Sequence, residues 1–260
     1  MSRIKLFNDD CLNVLKDIET ESVDLVVTDC PYKICSGGCT NDAVKIGRST
    51  KREKGGFFVG DTQHVNLGSI FDEFNEHKYT KEGKLFKYND VQFQDWLPEL
   101  FRVLKNQTHC YIMINSRNLK DLQIEAEKVG FVFQQLIVWD KGNNLPNKYY
   151  MNSYELILML RKGKAKNINN MGTKNILSVP NITRTKIHPT EKPVELMRIL
   201  IENSSRIGDT VLDPFMGVGA TGIACKETGR DFVGIEIDEK YFGLAKMRME
   251  ETEGKYDRDN

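Results

Sequence analysis

Val23-Asp24-Leu25-Val26-Val27-Thr28-Asp29-Cys30-Pro31-Tyr32 reads as a buried β-strand that ends abruptly. The strand follows from the apolar, β-branched run Val23, Leu25, Val26 and Val27. Pro31 ends it, because proline cannot donate to a ladder and biases Cys30 toward an extended conformation. A carboxylate, a rigid ring and a phenol are thus delivered together at the carboxyl end of a strand. In open α/β sheets that edge is where ligands bind.

The tetrapeptide has a definite chemistry. Asp29 offers two acceptor oxygens and the Cys30 carbonyl a third, enough to hold both protons of a planar amino group. Tyr32 offers a flat face on which an unstacked base can lie. The amino nitrogen of adenine or cytosine is a poor nucleophile because its lone pair is delocalised into the ring. Acceptors on its protons free that lone pair and stabilise positive charge developing on nitrogen. An ordinary strand end with a turn proline has the same residues, so the match gains meaning only from its partners elsewhere.

The chain has 260 residues, enough for one large domain or two small ones, with a formal net charge of zero. Whole-chain charge therefore announces no polyanion partner. The six cysteines lack the spacing of a disulfide framework, which suits a reducing cytosol and a cytoplasmic location. The N-terminus is no signal peptide, and no apolar run reaches membrane-spanning length, so no membrane partner is expected.

Outward from the tetrapeptide, the elements alternate. Ile4 to Phe7 is a short strand, and Asn8-Asp9-Asp10 caps a helix bearing Leu12, Leu15 and Ile18. Asp90 caps an amphipathic helix with Phe93, Trp96, Leu97, Leu100, Phe101 and Leu104 on one stripe. His109 to Asn115 is a strand, Leu119 to Val129 a helix, Phe131 to Trp139 a strand ending at Asp140-Lys141, and Tyr154 to Leu160 a strand. Such alternation indicates a doubly wound α/β sheet.

Two stretches stand out by charge. Residues 33–60 carry Lys33, Lys45, Arg48, Lys51, Arg52 and Lys54 against only Asp42 and Glu53, with Gly37, Gly38, Gly47, Gly55 and Gly56 among them. They read as a basic mobile loop after the tetrapeptide, either a lid over nucleic acid or a solvated insertion. Cys30, Cys35 and Cys39, with His64 the nearest further ligand, do not have a zinc spacing, so no metal is expected. Residues 141–192 carry ten Lys or Arg and only Glu155 and Glu191 as acids, with nine asparagines between Asn143 and Asn181. That asymmetry points to nucleic-acid contact, with 141–187 as the target-recognition segment.

In His188-Pro189-Thr190-Glu191-Lys192-Pro193, Thr190 reads as an N-cap and Pro193 as early first turn of a helix buried through Leu196, Met197, Leu200 and Ile201. Lys192 at a helix start opposes the dipole, a hint that it serves an anionic group. Asp209 to Leu212 is a strand, and Asp213-Pro214-Phe215-Met216-Gly217-Val218-Gly219 a turn opening a helix of small residues. Gly217 and Gly219 let the backbone approach a ligand closely. The next strand, from Asp231, ends at Glu236, 23 residues after Asp213, near the spacing of an acid that binds ribose hydroxyls. Gly217-Val218-Gly219-Ala220-Thr221-Gly222 has the G-x-G-x-x-G spacing, by itself a weak sign; a nucleoside without phosphates is expected rather than a dinucleotide, and a nicotinamide oxidoreductase is the disfavoured reading.

These motifs together resemble the amino-directed DNA methyltransferases that act on adenine N6 or cytosine N4. Asp29-Cys30-Pro31-Tyr32 is similar to their catalytic D/N/S-P-P-Y/F motif, Asp213 to Gly219 to their D-P-F-x-G-x-G cofactor motif, and His188 to Pro193 to their H-P-T-x-K-P motif. The catalytic motif comes first and the cofactor motif last, the circularly permuted order of the family's β group. The resemblance implies one domain over 1–260, with a mostly parallel, seven-stranded-type methyltransferase sheet, helices on both faces, and 188–250 as the cofactor-binding part.

It implies S-adenosylmethionine as cofactor. Asp29, the Cys30 carbonyl and Tyr32 would hold a flipped base, with Pro31 keeping the turn rigid. Asp213, Pro214, Phe215, Gly217 and Gly219 would line the methionine side, and Glu236 would take the ribose hydroxyls. Asp10, with Cys11 beside it, would face the cofactor's adenine. His188, Thr190, Lys192 and Pro193 would lie at the cofactor's carboxylate region. Cys30 departs from the family's usual proline. An aspartate at position 29 leans toward adenine. The implied partner is double-stranded DNA, and the group's habits add a homodimer and a cognate restriction endonuclease, the setting of restriction-modification. The alternatives kept in view are a cytosine N4 enzyme, an enzyme acting on RNA or a protein glutamine, and a non-catalytic DNA-binding module.

Overall fold

The computed structural model describes residues 2–31, 91–145, 150–182 and 191–252. Tyr32, the 33–60 loop, Asp90, His188 and Thr190 lie outside the described residues. The described part of the chain is one unit built on a single sheet. Its strands are β1 (Ile4–Phe7), β2 (Val23–Asp29), β3 (Leu104–Ile114), β4 (Val132–Leu145), β5 (Asn152–Lys162), β6 (Ile176–Ser178), β7 (Thr210–Asp213) and β8 (Asp231–Ile235). They are ordered β1-β8-β7-β2-β3-β5-β4-β6. All pairs are parallel except the two that β5 makes with β3 and β4.

The helices are α1 (Cys11–Asp17), α2 (Phe93–Val103), α3 (Leu119–Val129), α4 (Val194–Ser204), α5 (Ala220–Glu227) and α6 (Glu239–Glu251). Strand alternation divides the core between the two faces. One face carries Leu25, Val27, Tyr111, Met113, Ile157 and Met159, packed with Leu196 and Leu200 of α4 and Ala224 of α5. The other carries Val26, Cys110, Ile112, Leu158 and Leu160 against Trp96, Leu97 and Leu100 of α2. The sheet reverses its winding between β7 and β2, since β7 leads outward to β8 and β2 leads the other way to β3. That switch point, at the carboxyl ends of both strands, is where a ligand crevice forms.

Several elements differ from the expectations. Among the described residues the sheet has eight strands, with β6 an edge strand inside the 141–187 segment, where no strand is expected from sequence. Leu104 is not the end of the α2 stripe but the first residue of β3. The α2 cap is Gln92, whose side chain and that of Asp95 each accept from the other's backbone N–H, a capping box, rather than Asp90. α4 starts at Val194, so Pro193 is its N-cap, not a first-turn residue.

Candidate active site

Three strands end their inner-face rows with a charge at the same edge. On β2 the row Leu25, Val27 continues to Asp29; on β4, Ile137, Trp139 to Lys141; on β5, Met159, Ile157 to Glu155. The register aligns them: Asp29 pairs with Met113, Met113 with Ile157, and Trp139 with Glu155. Lys192 reaches the row from the segment before α4. Its ammonium donates to Asp29 Oδ2 and lies 3.5 Å from Glu155 Oε2. Lys141 donates to Glu155 Oε1 at 3.1 Å and stands 5.8 Å from the centre of the Trp139 ring. The order is carboxylate, ammonium, carboxylate, ammonium.

Electrostatics separates the two acids. Burial raises the Asp29 carboxyl; Lys192 pulls it back and Glu155 pushes it up again, leaving it above the ordinary range. Burial also works to raise Glu155, but Lys192 and Lys141 outweigh it and hold Glu155 below that range. Asp29 Oδ1 is buried and has no hydrogen-bond partner among the described residues. A buried acceptor left without a donor costs about 1–3 kcal/mol, so this oxygen is poised for one.

Beside it, the β7–α5 turn is held from within. Asp213 accepts from Thr28 Oγ1 and Thr221 Oγ1, both at 2.7 Å, and from the Phe215 N–H at 3.1 Å. Its burial pushes its carboxyl up to about 6. Glu236, at the end of β8, accepts the Gly217 N–H at 3.0 Å on one oxygen and the Asp238 N–H at 2.9 Å on the other. Burial raises its carboxyl too. Gly219 sits at φ +83°, a left-handed conformation suited to glycine, and caps α5. Phe215 packs edge-on against Trp96 at 5.3 Å. Arg248 of α6 donates to the Val218 carbonyl at 2.7 Å and pairs with the buried Glu191 at 2.8 Å. One guanidinium therefore ties the glycine turn to the segment that carries Lys192.

The structure thus gathers Asp29, Cys30, Pro31, Lys192, Asp213, Pro214, Phe215, Gly217, Gly219 and Glu236 around the carboxyl ends of β2, β7 and β8. Three of the assigned residues have partners within the protein. Lys192, assigned by resemblance to the cofactor's carboxylate region, contacts two protein carboxylates. Asp213 spends both oxygens inside the protein, so it shapes the turn. Asp10 caps α1 by accepting the Leu12 N–H at 2.8 Å, and burial pushes the Cys11 thiol beside it up to about 12. Cys30 is buried, its thiol 3.6 Å from the Met113 carbonyl, and burial lifts its pKa well above the usual value.

In the segment read as base-contacting, some asparagines bond to other groups of the protein. Asn169 Nδ2 donates to the Glu202 and Ser205 carbonyls at the end of α4, and Asn170 Oδ1 accepts the Gly172 N–H. The residues missed from sequence are Glu155, Lys141, Thr28, Thr221, Glu191 and Arg248.

A family model described as DNA methylase, of the N6 and N4 kind, matches residues 23–247. Type II methyltransferase M2.DpnII of Streptococcus pneumoniae is 28% identical, over 96% of this chain and 90% of that protein. Two solved structures share the fold. The M1.HpyAVI–SAM complex has a TM-score of 0.65 at 24% identity, covering 94% of this chain and 99% of its own. The cytosine-N4-specific PvuII DNA methyltransferase has a TM-score of 0.66 at 15% identity, covering 100% and 89%.

Proposed function

The chain belongs to the N6/N4 DNA methylase family, and on that premise we propose that it moves a methyl group from S-adenosylmethionine to the N6 amino group of an adenine rotated out of duplex DNA. The observation that carries this reading is the buried, unpartnered Oδ1 of Asp29 beside the glycine turn. A neutral amino group has the donors that this oxygen lacks.

The cofactor fits the residues present. A Cβ built on Gly217 would meet nothing within 4 Å, so the turn faces open room. Asp29 and Glu236 carry acidic groups into that region, which disfavours a phosphate and favours a cationic, phosphate-free nucleoside. Glu236 would hold ribose hydroxyls, and the turn Phe215 to Gly219 would hold the methionine side. When bound, S-adenosylmethionine supplies an electrophilic sulfonium methyl group.

The chain's own residues do the rest. Asp29 Oδ1 accepts one amino proton of the target base and the Cys30 carbonyl the other. That draws the nitrogen lone pair out of the ring and stabilises charge developing on nitrogen. Lys192 opposes the effect of burial and so favours the ionised form of Asp29. Pro31 fixes the turn, and Tyr32 is the proposed stacking platform. Extrusion of the base costs a few kcal/mol, and positioning supplies much of the rate. Adenine is chosen over cytosine because an aspartate opens the tetrapeptide.

The test is incubation of DNA with methyl-labelled S-adenosylmethionine, digestion, and separation of nucleosides by mass. Label in N6-methyladenine, lost in Asp29→Ala, is the expected result. Label in N4-methylcytosine overturns the base, and no label in DNA overturns the activity.

A further inference from the structure

Methyl transfer as derived above uses only the Asp29 end of the charged row. Lys141 and Glu155 are nevertheless drawn to the same edge, at a cost, since buried charges must be repaid by partners. Resting on the reading of Asp29 given above, we propose that Glu155 and Lys141 are positioning residues for the transfer: they fix Lys192 on one oxygen of Asp29 and leave the other to the incoming amino group.

An ammonium on a flexible four-carbon stem carries three donors and by itself does not choose between two carboxylate oxygens. Glu155 Oε2, 3.5 Å from Lys192 Nζ, gives it a second anchor and a direction. Glu155 is itself held by Lys141 through its other oxygen. Lys141 lies against Trp139, whose Nε1 donates to the Val179 carbonyl at 2.8 Å. The far end of the row is thereby fixed to the sheet, and its near end presents Oδ1.

Charge gives a readout that packing does not. Among the described residues, the groups facing Asp29 are Lys192 before α4, Glu155 on β5, Asp213 on β7 and its neighbour Cys30. Those facing Glu155 are Lys192, Lys141 and Asp29. Glu155→Gln keeps the shape and removes a negative charge that lifts Asp29. The acid limb of kcat therefore moves to lower pH, whereas a packing defect lowers the plateau without moving the limb.

The experiment uses the full chain, Glu155→Gln, Lys141→Met and the double variant. DNA from a methylation-deficient bacterium is the methyl acceptor, kcat is followed against pH, and S-adenosylmethionine binding is measured by calorimetry. The expected result is cofactor Kd within about twofold of wild type in all variants, with kcat lowered about tenfold or more in each single variant. The double variant falls no further than Glu155→Gln, because Lys141 acts through Glu155. If Glu155→Gln fails to fold, Lys141→Met at the far end of the row carries the same comparison of kcat with Kd. Single variants at wild-type rate, multiplicative losses in the double, or Kd rising in step with the fall in kcat overturn the proposal. A wild type that binds cofactor but labels no DNA overturns the functional reading and the positioning role with it. A wild type that labels DNA no faster than Glu155→Gln overturns the positioning role alone.

Discussion

The ammonium of Lys192 closes on Oδ2 of Asp29 across 163 residues of chain, joining the segment before α4 to the end of β2. In Lys192→Met the buried carboxylate loses its principal counter-charge. Burial, which already lifts Asp29, then acts without that opposing charge, and Asp29 holds its proton to higher pH than in the wild type. A protonated Asp29 withholds the acceptor that the amino group needs. Transfer at pH 7 is expected to fall by about a hundredfold or more, with partial recovery as the pH is raised. A pH–rate profile with its acid limb at the wild-type position would contradict this.

Arg248 should matter to cofactor affinity more than to the chemical step. Its two bonds join the Val218 carbonyl to Glu191, so they hold the glycine turn in place. Losing such ties in Arg248→Met is expected to weaken S-adenosylmethionine binding by about tenfold and lower stability by about 1–3 kcal/mol. The kcat at saturating cofactor should change little. Calorimetric titration with urea unfolding checks both numbers.

Asp213 predicts a pH dependence of stability. Its carboxyl titrates at about 6 in the folded chain against an ordinary value of 3.8, with burial the main cause. The folded state therefore binds the proton more tightly. The stabilisation from that proton is full below the unfolded value and is lost as pH rises through 6. Wild type should lose on the order of 3 kcal/mol relative to Asp213→Asn between pH 4 and pH 7.5. Unfolding midpoints of the two proteins across that range make the comparison, and parallel curves would refute it.

What the sequence disclosed depended on how local each signal is. Val23 to Asp29 was legible because four apolar residues and a proline stop lie within one short stretch. Asp29, Gly217, Gly219 and Glu236 were legible for the same reason. Glu155 and Lys141 were not, although each continues an apolar row: Glu155 before Ile157 and Met159, Lys141 after Ile137 and Trp139. Only the register that sets Asp29 beside Met113, and Met113 beside Ile157, shows those rows ending together. β6 escaped because it is three residues long with one buried side chain. α6 escaped because only Ala245 and Met249 of its thirteen residues are buried, too few to mark a stripe. The bonds of Asn169 to the end of α4 were not legible, because an amide that ends a helix and one that reads a base are the same residue in a sequence.

Cys30 provides the last test, since it stands where the family usually has proline. Its thiol is buried against the Met113 carbonyl, and burial keeps it protonated far above neutral pH. A protonated, enclosed thiol is neither a nucleophile nor readily alkylated. The proposed role at this position belongs to the backbone carbonyl, which any side chain leaves in place. Cys30→Ala should therefore keep methyl transfer within about threefold of wild type and cost about 1 kcal/mol for the lost packing. Iodoacetamide applied to the native protein should leave Cys30 unmodified, as mass mapping of the digest would show. Loss of transfer in Cys30→Ala at unchanged stability would instead assign the sulfur itself a part in the reaction.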